Sequence, residues 1–270
     1  MQIHSFTLLA SVALAQTLAP CLEACVKQDA PPASVPEERS DAPSRDAEAA
    51  AVLARSLEAM GATSMRDQIA SSRSSATLRM GQTTTDFQLL AHGESKFIVR
   101  QMFHGLGQME IGFDGTTGWR SDPPDQKITP ISEQEAAEFR RTLDFQAMLR
   151  DLDRRFPSAR IQPEETLEST ACDVVLLEKP GERLKAYFDQ ETGLIKAFEI
   201  LSDEDRRRRR VVIESWSEEP RPIRWAKRIR IEQPRTTIEA IYSSVTFDDV
   251  ADATFEAPPD ALEPEGDGSE

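Results

Sequence analysis

The sequence predicts an α+β fold that is mainly antiparallel β, and three observations carry that prediction. Short segments in which apolar and polar residues alternate recur through most of the 270-residue chain. Glycines punctuate them where hairpins would turn, with Gly81, Gly93 and Gly105 spaced by about a dozen residues. Helical signals are confined to two places, one before the strands begin and one midway through them.

Arg183 to Leu201 is the clearest hairpin. Leu184, Ala186 and Phe188 alternate with Lys185 and Tyr187, the two-residue period of a half-buried strand. Thr192-Gly193 supplies the turn, because glycine takes a positive φ that a bulky residue resists. Leu194 to Leu201 then returns as a second strand, rich in β-branched and aromatic residues.

At the amino terminus, Phe6 to Ala15 is an unbroken apolar and small-residue run. It is too short to span a bilayer, which takes about 20 residues, and it reads as a secretory signal core with Ala13-Leu14-Ala15 as a cleavage site. A buried helix is the competing reading. Leu18-Ala19-Pro20-Cys21 and Leu22-Glu23-Ala24-Cys25 each approximate the motif that precedes an acylated cysteine, so Cys21 and Cys25 are the two candidate lipid-attachment sites. Residues 1–25 therefore read as a signal peptide or lipoprotein signal. Residues 26–46 read as a disordered Pro-rich tether, since Asp29 to Arg45 combines four prolines with charge and no apolar period.

The folded domain is expected over residues 47–262. Asp46 is placed to cap a helix ending at Met60, with Leu53, Leu57 and Met60 on one face and Gly61 as its stop. Strands follow at Ser75 to Met80, Thr83 to Ala91, Lys96 to Phe103 and Leu106 to Phe113. The last of these turns Met109, Ile111 and Phe113 one way and Gln108 and Glu110 the other. Asp114-Gly115 turns the chain, Trp119 resumes a strand, and Pro123-Pro124 opens a loop to Ser132. Ser132 and Glu135 form a capping box for a helix reaching about Arg155, with Phe139 and Leu143 on its apolar stripe. Further strands are expected at Ala159 to Leu167, Val174 to Leu177, Val211 to Trp216, Pro222 to Gln233 and Thr236 to Phe247. In the fourth of these, Ile223, Trp225, Ile229 and Ile231 share a face interrupted by Lys227. Residues 263–270 read as an acidic disordered tail.

Charge and motif content exclude several functions. With 47 acidic against 32 basic residues and a net charge of -15, nucleic-acid binding is not expected. Three cysteines and three scattered histidines offer neither a disulfide framework nor a metal-ligand spacing, so no metal and no cofactor is expected. No nucleophile elbow, zinc-protease motif or phosphate loop is present. Cys172 reads as a small buried residue at the start of a strand. Arg206 to Arg210 reads as a hairpin tip neutralised by Asp203-Glu204-Asp205, with a contact for anionic headgroups or an acidic partner as the sharper alternative.

Taken in order, the first helix, the FDGTTGW turn after four strands, the helical insertion, the AYFDQETGLIKAFEI hairpin and the closing VTFDDVADATFEAPPD resemble one family. It is the periplasmic lipoprotein carriers of the LolA/LolB type, with the related outer-membrane lipoprotein-sorting proteins. The resemblance implies an unclosed β-barrel, a curved sheet wrapped around an N-terminal helix and an inserted helix, with an apolar cavity for acyl chains. Met109, Ile111, Phe113, Phe139, Leu143, Phe188 and Trp225 are the candidates for its lining, and each reads equally well as ordinary core. The function expected is an exported, non-catalytic cell-envelope protein, periplasmic or lipid-anchored. It would bind acyl chains or another amphiphile, with a lipid or acylated protein as partner, in lipoprotein or lipid sorting. The alternative is an envelope sensor or protein-interaction module of the same fold with no bound lipid.

Overall fold

A computed structural model describes residues 45–261 apart from 94, 202–208, 219–221 and 235. Among the described residues, thirteen strands form one antiparallel sheet in two meanders. The first comprises β1 (Ser71–Met80), β2 (Thr83–His92), β3 (Lys96–Phe103), β4 (Gly107–Phe113), β5 (Gly118–Asp122) and β6 (Lys127–Ile131). The second comprises β7 (Ser158–Leu167), β8 (Thr170–Lys179), β9 (Glu182–Asp189), β10 (Ile195–Leu201), β11 (Arg209–Trp216), β12 (Ala226–Gln233) and β13 (Thr236–Phe247). β13 pairs with β1, which welds the meanders at the centre and leaves β6 and β7 as the two edges. The sheet is therefore curved and unclosed.

Helices link the edges and cover one face. α1 (Ala47–Met60) leads into β1 and packs on β7 and β8. It ends at Gly61 in a left-handed conformation, with the Gly61 and Ala62 amides returning to Glu58 and Leu57. Asp46 does not cap α1 with its side chain as expected. Its carboxylate instead accepts from the Ile161 amide at 3.0 Å, tying the helix start to edge strand β7.

The single helix expected from Ser132 to about Arg155 is three helices: α2 (Glu133–Leu143), α3 (Phe145–Arg150) and α4 (Leu152–Arg155). The Ser132–Glu135 capping box is present. The break falls at Asp144, whose carboxylate accepts from the Ala147 amide at 2.9 Å and starts a new helix, the competition that makes Asp a poor interior helix residue. Two further corrections concern strands. The loop expected after Pro123-Pro124 contains β6, an edge strand where Pro130 is tolerated because its missing amide would face no partner. β12 starts at Ala226, so Trp225 precedes it; register irregularities in β11 between Ile213 and Trp216 displace the pairing there.

Cross-strand register places Ser74, Leu89, Val99, Ile111 and Arg120 in one row on the helix-covered, concave face. The opposite face carries Leu90, Ile98, Gly112 and Trp119, sealed by Val250, Phe255 and Ala261 from the C-terminal stretch with its two 3-10 turns. Gly112 is required here. A Cβ at that position would lie 2.1 Å from the Trp119 ring. Gly193 is required for a different reason, its φ of 74° at the β9–β10 turn beneath α1.

Candidate functional site on the concave face

The concave face is built from alternate residues of every strand, and the helices α1 to α4 lie over it. The seven residues singled out in the sequence fall at three places along it. Met109, Ile111 and Phe113 line β4 and are buried, Ile111 to 1 % exposure. α2 packs on β4, bringing Phe139, half-buried, and Leu143, 9 % exposed, to the same region. Phe188 on β9 is fully buried, and its cross-strand neighbour Asp173 pairs with Arg55 of α1, which assigns it to the α1 end of the sheet. Trp225 is half-buried at the centre.

Around Trp225 the structure assembles a crevice that sequence reasoning missed. Ser72 and Ser74 of β1, Val245 and Phe247 of β13, and Ile223, Arg224 and Trp225 form its floor and walls. Asp144, Gln146, Ala147 and Arg150 of the α3 segment close it. About 10 Å³ of space remains, enough for a single water-sized sphere. Gln146 clamps the cover to the sheet: its Nε2 donates to the Ala226 carbonyl at 2.9 Å and its Oε1 accepts from the Ala226 amide at 3.0 Å. Burial raises the pKa of the nearby Tyr242 phenol well above the ordinary value, with the Asp144 charge adding to the rise and a hydrogen bond with Gln146 opposing it. Two backbone bonds from Arg140, to the Gly93 carbonyl at 2.6 Å and the Lys96 carbonyl at 3.4 Å, hold α2 to the β2–β3 turn.

Charged groups near α3 and α4 are mostly matched. Arg150 forks onto Asp151 at 2.6 to 3.1 Å, Arg66 meets Asp153 at 2.6 Å, and Arg154 meets Asp67. Burial lowers the pKa of Arg155, opposed by Asp144, Asp151 and Glu182. The signal for this cluster in the sequence was the Leu143-Asp144-Phe145 break, which reads as an internal cap only once the helix is seen to stop.

Other candidates resolve away from the face. Cys172 is buried, and desolvation raises its thiol pKa, the opposite of an activated nucleophile. Arg210 forms an ion pair with Glu199 at 2.5 Å, whereas Arg206 to Arg208 and Asp203 to Asp205 lie outside the described residues. Cys21, Cys25 and the tail from 263 lie outside them too. Among the described residues no cluster of three or more metal-ligating side chains occurs, and no helix is long and apolar enough to cross a membrane.

The architecture is an unclosed antiparallel barrel whose concave side is covered by a leading helix and a broken helical insertion. No family model matches the sequence, and no curated protein matches it either. Solved structures do. A DUF1329 family protein from Desulfovibrio piger is 15 % identical with a TM-score of 0.51, the match covering 77 % of this chain and 97 % of that one. A LolA superfamily protein from Nitrosomonas europaea is 14 % identical with a TM-score of 0.51 over the same shares. At such identities the likeness is one of architecture, and the fold of this chain is LolA-like.

Proposed function

We propose that this protein is a non-catalytic carrier or receptor for acyl chains in the cell envelope, with the chain taken up between the concave sheet and α2–α3. The observation that carries the reading is the construction of the cover. A face lined by Leu89, Val99, Met109, Ile111 and Phe113 is roofed by short, broken helices instead of by more sheet. Those helices keep Phe139, Phe145 and Met148 only half-buried, and Arg140 and Gln146 tie them to the sheet. A ligand chain that displaced them would exchange apolar contacts for apolar contacts, with a driving force of about 25 cal/mol per Å² of newly buried surface before ordering costs. The LolA-like fold supports the same reading.

The expected setting is the periplasm, reached by the N-terminal signal and held there by acylation at Cys21 or Cys25. An intact mass of membrane-extracted protein that corresponds to an unmodified chain beginning at Gln16 would remove the anchor. For the ligand, organic extracts of the purified mature protein analysed by mass spectrometry should contain stoichiometric acyl species, and added fatty acid should change tryptophan fluorescence saturably. Extracts free of lipid, with no fluorescence response, would leave the sheet as a packed core and favour a protein-interaction module.

A further inference from the structure

Among the described residues, Arg224 is the one arginine of the crevice whose guanidinium has no partner. Its backbone amide is fixed on the Met60 carbonyl at 2.8 Å, so the residue cannot easily swing away. Its Nε is shut off from solvent and makes no hydrogen bond, and among the described residues the guanidinium joins no ion pair. Neighbouring charges do not compensate it. Arg150 is occupied by Asp151, and Asp144 accepts from the Ala147 amide through Oδ1 while its charge offsets that of Arg155. The hydroxyls of Ser72 and Ser74 line the same crevice and are available to donate. A buried donor without an acceptor is disfavoured, and a half-buried guanidinium more so. A buried guanidinium donor without a partner, beside two hydroxyls on one small space, describes a binding site for oxygen atoms bearing negative charge.

We propose that Arg224, with Ser72 and Ser74, forms an oxyanion subsite that takes the carboxylate or phosphate head of the bound amphiphile. The planar fork of arginine suits both groups. The adjoining wall of Ile223, Trp225, Val245 and Phe247 is apolar and receives the first carbons of the chain. The space of about 10 Å³ accommodates one head-group oxygen, and the remainder of the ligand enters as α3 lifts. The proposal rests on the acyl-binding reading and makes it specific: the ligand is anionic at one end.

Calorimetric titration of the full mature chain in phosphate-free, low-salt buffer tests this with decanoate, decyl phosphate, decanol and inorganic phosphate. Decanoate and decyl phosphate should bind at least about tenfold more tightly than decanol, the worth of one or two charge-assisted hydrogen bonds. Arg224→Gln should bring both anions down to the decanol level while leaving decanol binding unchanged. Because no partner among the described residues is lost, its unfolding midpoint should stay the same or rise. Arg224→Lys, which keeps the charge without the fork, should fall between. Equal wild-type affinity for decanoate and decanol would overturn the subsite and leave acyl binding intact. So would an Arg224→Gln protein that loses decanol as strongly as decanoate and unfolds earlier, because the residue would then be structural. If no amphiphile binds but inorganic phosphate does, in an Arg224-dependent manner, the subsite stands for free phosphate and the acyl reading falls. Heat from none of the four overturns both.

Discussion

Gln146→Ala is the perturbation that best separates a movable cover from a fixed core. Gln146 makes both backbone bonds of Ala226, at 2.9 and 3.0 Å, and Ala226 is fully buried. Truncation orphans a buried amide and a buried carbonyl, each costing about 1–3 kcal/mol, so the closed arrangement loses about 2–6 kcal/mol. When α3 is lifted, water reaches both groups and the penalty disappears, so it falls on the closed state alone. A ligand that binds only the open state is held back by the fraction of molecules that are open. Even the lower figure, about 2 kcal/mol, would tighten apparent affinity about 30-fold, up to the limit where the open state predominates. The assay is a fatty-acid titration followed by tryptophan fluorescence, with a denaturant melt alongside. The expected result is a dissociation constant at least about tenfold lower together with a lower unfolding midpoint. An unchanged or weaker affinity with the full loss of stability would refute the reasoning, because α3 would then be core that unfolds only with the whole domain.

Other expected outcomes follow from the same geometry. Leu143→Glu places a carboxylate at a position with 9 % exposure. If α2 is a cover, the carboxylate faces the cavity and stays partly hydrated there, so circular dichroism should be preserved and the fatty-acid response lost because the charge occupies the path of the apolar chain; global unfolding would mark Leu143 as core. Gly112→Ala forces the added methyl into the Trp119 ring and should cost about 1–3 kcal/mol in a denaturant melt, with earlier proteolytic cleavage in the 250–261 strap that covers the ring. Both tyrosines, Tyr187 and Tyr242, have phenol pKa values raised mainly by burial. A raised folded-state value means the unfolded chain loses these protons first. The stability they contribute is therefore complete below about pH 10 and declines above it. Ultraviolet titration should show Tyr242 ionising only as the protein unfolds; a normal phenolate transition in folded protein would contradict its burial.

Local patterning determined most of the architecture. The expected bounds Lys96 to Phe103 and Thr236 to Phe247 coincide with β3 and β13 as they fold; β13, with one buried face, writes its period into the sequence, whereas β3 is buried on both sides at Phe97, Ile98 and Val99. The same holds for the faces of β2 and β4 and for the turns at Gly81, Gly93, Gly105 and Gly193, all with positive φ. The capping box at Ser132 marked the start of the insertion.

Long-range geometry decided the rest. β6 escaped notice because its signal is short and broken by Pro130, and only an edge position in a sheet tolerates that residue. The division of the insertion at Asp144 depends on one side chain choosing a local amide, which an apolar stripe running through Phe139, Leu143 and Leu149 conceals. Pairing of β13 with β1, more than 150 residues apart in the chain, creates the central crevice. Ser72, Ser74, Gln146, Arg224 and Tyr242 come from four separate segments, and each alone is an ordinary polar residue. Whether Arg224 has a counter-charge is a property of three-dimensional neighbours, so an unpaired guanidinium has no signature in sequence. Periodicity reports which side of a strand is buried; only the fold determines what it is buried against.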